Sequence, residues 1–172
     1  MHYSEEVLSE ISLPFYELKG RCEETAGNYE GALFAYREKS RRILKRTHCG
    51  ASVRLFAYTL FRIGEIYYLQ GNYEEADKGF CKVITFLSKE YPPKDSDEFF
   101  SKMFFYGIEL PKPLHTKVAS LIYLADIARK KGMDFVYERE LKETIKLARQ
   151  TKDNDLISLV DRLEIIINDA KN

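Results

Sequence analysis

Residues 57–88 read AYTLFRIGEIYYLQGNYEEADKGFCKVITFLS, and the spacing within them decides the fold. Leu60, Ile63-Gly64 and Tyr67 fall at helical intervals, a Gly71-Asn72-Tyr73 turn follows, and Ala76 and Phe80 come after it. Apolar residues at such intervals share one face of a helix. The pattern predicts two amphipathic helices joined by a tight turn. Glycine directly after the first helix takes the left-handed conformation that ends it, which a Cβ would penalise. The asparagine that follows suits the cap of the next helix. Gly64 and Ala76, one on each helix, remove side chains where the backbones cross, so that Leu60, Tyr67, Phe80 and Val83 interdigitate.

The same tripeptide, Gly27-Asn28-Tyr29, stands 44 residues upstream. Measured from it, Tyr16, Gly20, Ala32 and Tyr36 fall where Leu60, Gly64, Ala76 and Phe80 fall in the later unit. Lys19 and Glu23 depart from the apolar pattern. A weaker third copy centres on Gly132, with Leu121, Leu124-Ala125 and Ala128 before it and Leu141, Leu147 and Ala148 after it. Tyr137 stands there where a small residue is expected, which would push the two helices apart or be met by Ala125 and Ala128.

These residues resemble the tetratricopeptide repeat, W-x2-L-G-x2-Y…A-x3-F, with Leu60 in place of the tryptophan. Spacings of 44 and 61 residues between the turn glycines exceed the usual repeat and are similar to the longer units of kinesin-light-chain-like arrays. The resemblance implies an all-α, right-handed superhelix of antiparallel helical hairpins. It places repeats at about 13–46, 57–90 and 118–151, an aromatic insert at 92–117 and a capping helix at 154–171, all in one domain. A single hairpin cannot bury both of its apolar faces, so neighbours must stack.

The insert is bracketed by Pro92-Pro93 and Pro111/Pro113 and reads as helical from about 95 to 107, with Phe99, Phe100, Met103, Phe104, Phe105 and Tyr106 on nearly all sides. The C-terminal segment carries Leu156, Leu159, Val160, Leu163, Ile166 and Ile167 on one stripe, widened by Ile157 and Ile165. That arc is broad for a terminal cap, which needs a polar outer face.

Composition excludes several classes of function. Basic and acidic residues balance at 27 each, so no global field draws in nucleic acid or an anionic membrane. No apolar run approaches the length of a membrane span, and the acidic N-terminus lacks the blocks of a signal peptide. A cytoplasmic protein is expected. Cys22, Cys49 and Cys81 show no metal or redox spacing and read as free thiols. His48 and Cys49 are adjacent, which points them apart, and His115 has no matching Cys or Asp. There is no HExxH, P-loop or G-x-S-x-G motif. Neither catalysis, cofactor nor metal is expected.

In the family this chain resembles, the first helix of each hairpin lines a concave face that holds a peptide. The resemblance carries that role to Tyr58, Phe61, Glu65 and Tyr68, to Glu17, Arg21 and Glu24, and to Ile122, Asp126 and Arg129. The same aromatics would equally suit packing on neighbouring units. The family's carboxylate clamp for chaperone tails is absent, because Glu17, Phe61, Arg21 and Glu65 hold its Lys and Asn positions. The expected function is a non-enzymatic module or scaffold binding a protein or peptide in the groove. The alternatives are a self-associating subunit pairing through 97–107 or 154–171, and a binder of RNA or another anion along Arg37, Arg41, Arg42 and Lys45. The acidic residues that precede this basic run offer it internal compensation.

Overall fold

The computed structural model of the protein describes residues 5–44, 50–88, 112–133, 136–151 and 153–170. Among them are seven helices and no strand: α1 (Glu5–Thr25), α2 (Tyr29–Leu44), α3 (Gly50–Leu69), α4 (Tyr73–Leu87), α5 (Pro113–Lys131), α6 (Glu138–Gln150) and α7 (Asn154–Ala170). The all-α expectation holds. Three helices start earlier than the repeat boundaries suggested, at Glu5, Gly50 and Pro113. Pro113 opens α5 rather than closing the insert, because the first helical residue needs no amide proton. The helix expected at 95–107 lies outside the described residues.

The first two hairpins turn by the same hydrogen bonds. Gly27 N donates to Glu24 O at 2.9 Å and Asn28 N to Glu23 O at 2.8 Å; Gly71 N donates to Tyr68 O at 3.0 Å and Asn72 N to Tyr67 O at 2.9 Å. Both glycines are left-handed, with φ of 74° and 75°. Each asparagine then caps the next helix: Asn28 Oδ1 accepts from Gly31 N at 3.1 Å and Asn72 Oδ1 from Glu75 N at 3.3 Å. The paired bonds saturate carbonyls that a helix end otherwise leaves open.

The helix crossings also match. A Cβ at Gly20 would stand 2.6 Å from Tyr36 Cζ, and one at Gly64 would stand 2.9 Å from Phe80 Cε1. Tyr36 and Phe80 are both fully buried. Gly79 joins Ala76 at the second crossing, since its Cβ would lie 3.3 Å from the Gly64 Cα.

The third hairpin departs. Gly132 and Met133 repeat the two turn bonds, to Arg129 O at 3.1 Å and Ala128 O at 2.9 Å. However, α6 begins only at Glu138, so Tyr137 precedes the helix and does not occupy the small position of the crossing. Its hydroxyl instead lies 2.6 Å from Cys81 Sγ on α4. Leu141, Thr144 and Ala148 form the inner stripe of α6, while Leu147 faces solvent.

Successive helices pack α1 on α2, α2 on α3, α3 on α4 and α4 on α5. Beyond that, α5 packs more extensively against α7 than against α6. Asp153 explains how α7 is aimed. One of its oxygens accepts from Leu156 N at 3.2 Å, capping α7, and the other meets Lys112 Nζ at 2.6 Å just before α5. The main core joins α3, α4, α5 and α7 through Phe61, Phe80, Val83, Leu121, Leu124, Val160 and Leu163. Leu13, Ile43, Leu55 and Phe56 join α1 and α2 to α3.

Candidate functional site

A groove of about 550 Å³ runs between α3, α5 and α7. Its floor is one stripe of α5: Ala119, Ile122, Tyr123, Asp126 and Lys130. From Ala119 to Lys130 the helix rises about 16 Å. Phe61, Glu65 and Tyr68 of α3 form one wall, and Leu159, Arg162 and Ile166 of α7 form the other. The Tyr123 hydroxyl donates to Glu65 Oε1 at 3.0 Å, and the Tyr68 hydroxyl donates to Asp126 further on. Partners that ascend together in number show that α3 and α5 run parallel.

Ring contacts of Tyr123 tie the floor to α3 and α4. The Tyr123 ring lies parallel to Phe80 at 4.8 Å and 1°, with Tyr68 edge-on at 4.8 Å and Phe61 at 6.0 Å. Offset and edge-on contacts each add about 0.5–1.5 kcal/mol beyond burial. Phe61 is packed into the wall, with 8% of its surface exposed.

The far end of the groove is ionic. Asp126 meets Arg129 at 2.7 Å and Lys130 at 2.9 Å. Lys130 Nζ also sits 4.4 Å from the Tyr68 ring centroid and 5.0 Å from that of Tyr73. Burial acts to raise the Asp126 pKa, but hydrogen bonds from Tyr68, Arg129 and Lys130 prevail and hold it at about 2. Bonds to Tyr68 and Asp126 push Lys130 up. Glu65 shifts the other way: burial raises it despite Arg62 at 2.7 Å and the Tyr123 hydroxyl.

The sequence-predicted residues divide accordingly. Phe61, Glu65, Tyr68, Asp126, Arg129 and Ile122 come together in the groove. Tyr58 does not line it: its ring stacks on Phe61 at 6.3 Å, and Lys39 Nζ lies 5.8 Å from its centre. Glu17, which the resemblance assigns to the peptide-holding face, is instead only 2% exposed. It is held inside by Lys39 Nζ at 2.6 Å and Arg21 Nε at 2.9 Å, because a buried carboxylate must be paired. Lys39 and Arg21 lower the Glu17 pKa against the effect of burial, whereas burial pushes Lys39 down. Arg62 extends this ionic belt from Glu24 on α1 to Glu65 on α3.

The basic run of α2 is likewise not a single bare ridge. Lys39 is fully buried, Arg37 bonds the Tyr67 hydroxyl, Arg41 meets Glu38 at 2.7 Å, and Arg42 lies 5.0 Å from the Tyr16 ring centre. Lys45, His48 and Cys49 lie outside the described residues. Tyr123, Lys130 and Arg162 line the groove without having been singled out, and Leu159 and Ile166, named only within the terminal apolar stripe, line it too. The breadth of the α7 arc was the available signal, since a terminal helix with Leu159 and Ile166 beyond its buried stripe has a second face to cover. Among the described residues no helix is long and apolar enough to cross a membrane, and no group of three or more His, Cys, Asp or Glu could hold a metal ion.

No family model matches the chain, and no solved structure matches it. Among curated proteins, tRNA dimethylallyltransferase of Aquifex aeolicus (strain VF5) is 42% identical over 67 residues. The match covers 38% of this chain and 21% of that enzyme, so the chain spans about a fifth of the relative it resembles. A likeness of this extent defines neither a family nor an activity.

Proposed function

We propose that the chain is a non-enzymatic interaction module of tetratricopeptide type, a right-handed superhelix of hairpins that holds a peptide or partner-protein segment between α3, α5 and α7. The observation that carries this reading is the groove itself, with an aromatic-stacked floor, walls that mix apolar residues with Glu65 and Arg162, and an ionic end. The two identical turns and the two glycine–aromatic crossings support the repeat architecture. A well-buried apolar anchor contributes about 1.5–3 kcal/mol, which is about tenfold or more in affinity. Peptides selected from a random library against the whole chain are expected to lose that much on Ile122→Asp. Lys82→Glu, at an exposed position on α4, should leave them unchanged. Equal affinity for both variants would refute the groove as the site.

The partial likeness to a tRNA-modifying enzyme favours a second reading, an RNA contact along α2. Arg37, Arg41 and Arg42 would each exchange a present partner for phosphate. Binding of tRNA that weakens steeply with salt is the expected signature. Absence of saturable binding at low salt removes this reading.

A further inference from the structure

We infer that the segment this groove takes is acidic and amphipathic, an apolar anchor accompanied by carboxylates within about three helical turns. The inference rests on the reading of the groove as a binding site and names the chemistry of its occupant.

The argument is one of charge complementarity. Two carboxylates line the groove, and both are already served. Glu65 accepts from Arg62 and Tyr123, and Asp126 from Tyr68, Arg129 and Lys130. Three cations line it as well: Arg129, Lys130 and Arg162. Arg129 and Lys130 share Asp126, whereas no carboxylate of the described residues pairs with Arg162, which is exposed on the α7 wall. The uncompensated charge of the lining is therefore positive. It lies on the same helix as Leu159 and Ile166, three residues from one and four from the other. A ligand that covers those apolar residues must bring its own polar groups against Arg162. Carboxylates form charge-assisted, two-pronged bonds with guanidinium. A basic segment would meet three cations while both lining carboxylates are occupied. Phosphate of an RNA would satisfy Arg162 but leave Ile122, Leu159 and Ile166 unused.

The test is selection of random peptides of about twelve residues, three turns of helix, against the whole chain, followed by titration of the selected peptides. Enriched sequences are expected to combine Leu, Ile or Phe with at least two Asp or Glu. Arg162→Glu should weaken them about tenfold, and replacing one peptide Glu by Lys should restore binding to that variant. Raising salt from about 0.05 to about 0.5 M should weaken the wild-type complex several-fold. Circular dichroism confirms that Arg162→Glu keeps its helices. Uncharged or basic peptides that are sensitive to Ile122→Asp but indifferent to Arg162→Glu would overturn the acidic occupant and leave the groove reading intact. Peptides indifferent to both substitutions, or no enrichment at all, would overturn both. Displacement of a groove peptide by a short single-stranded RNA would overturn the peptide assignment in favour of RNA.

Discussion

Replacing Gly64 by alanine sets two effects of known size against each other. Alanine in a helix interior is favoured over glycine by about 1 kcal/mol. The added methyl would stand 2.9, 3.1 and 3.2 Å from three carbons of the Phe80 ring. Overpacking of this kind costs about 1–3 kcal/mol, depending on whether the neighbour can retreat. Phe80 cannot retreat easily, being fully buried, parallel to Tyr123 at 4.8 Å and 5.8 Å from Phe61. The cost belongs at the upper end, and a net loss of about 1–2 kcal/mol is expected. Urea unfolding should show a lower midpoint with an unchanged slope, and Tm should fall by about 3–6 °C. In a Phe80→Leu background, where the ring carbons are gone, the same substitution should be neutral or stabilising. The coupling between the two sites would then be about 1 kcal/mol or more. Stabilisation by Gly64→Ala in both backgrounds, at the helix-propensity value, would refute the close crossing.

Gly27→Ala and Gly71→Ala meet no atom within 4 Å, so each should cost only the backbone term of about 1–2 kcal/mol. The two losses should agree to within about 0.5 kcal/mol in chemical denaturation, and a clear inequality would deny the shared turn. Lys39→Met removes the inner partner of Glu17 and should destabilise by about 3–5 kcal/mol, much of it recovered in a Glu17→Leu/Lys39→Met double variant. A neutral single variant in thermal melts would show that the pair is not buried as described. The Asp126 pKa is lowered from its ordinary value near 3.8 to about 2, so its ionised form contributes stability above that ordinary value. The contribution is lost as pH falls through about 2. Melting temperatures of wild type and Asp126→Asn should therefore converge as pH falls from about 4 towards 2, and a constant gap would remove Asp126 from the acid limb.

The parts legible in the sequence are those whose physics is local. Gly71-Asn72 sets a turn whose bonds all fall within a few residues, so the tripeptide announces it. Gly20 with Tyr36 and Gly64 with Phe80 were readable because each pair recurs at one spacing in two units. Phe61, Glu65, Tyr68, Ile122, Asp126 and Arg129 came only from the resemblance to a repeat family, and Tyr58, carried over with them, does not line the groove. What escaped depends on partners distant in the chain. Glu17 looks like a surface carboxylate on its own helix, and nothing nearby says that Lys39, on the next helix, will reach it. Arg162 belongs to a helix read as a cap or a self-pairing surface, so its place on a wall required knowing that α7 lies along α5. Tyr137 was misplaced because its turn is longer than the Gly-Asn-Tyr turns, and a register counted from Gly132 carries it into a helix that has not begun.

The buried amine of Lys39 has a use as a reporter. Its nitrogen is enclosed between Glu17 of α1 and the Tyr58 ring of α3, with no surface open to solvent. An acylating reagent that modifies exposed lysines at once can reach this one only when the first three helices separate. The labelling rate at Lys39 thus records the free energy of that opening in the intact chain. Measured with and without a bound peptide, it would show whether occupancy of the distant groove steadies the N-terminal hairpin.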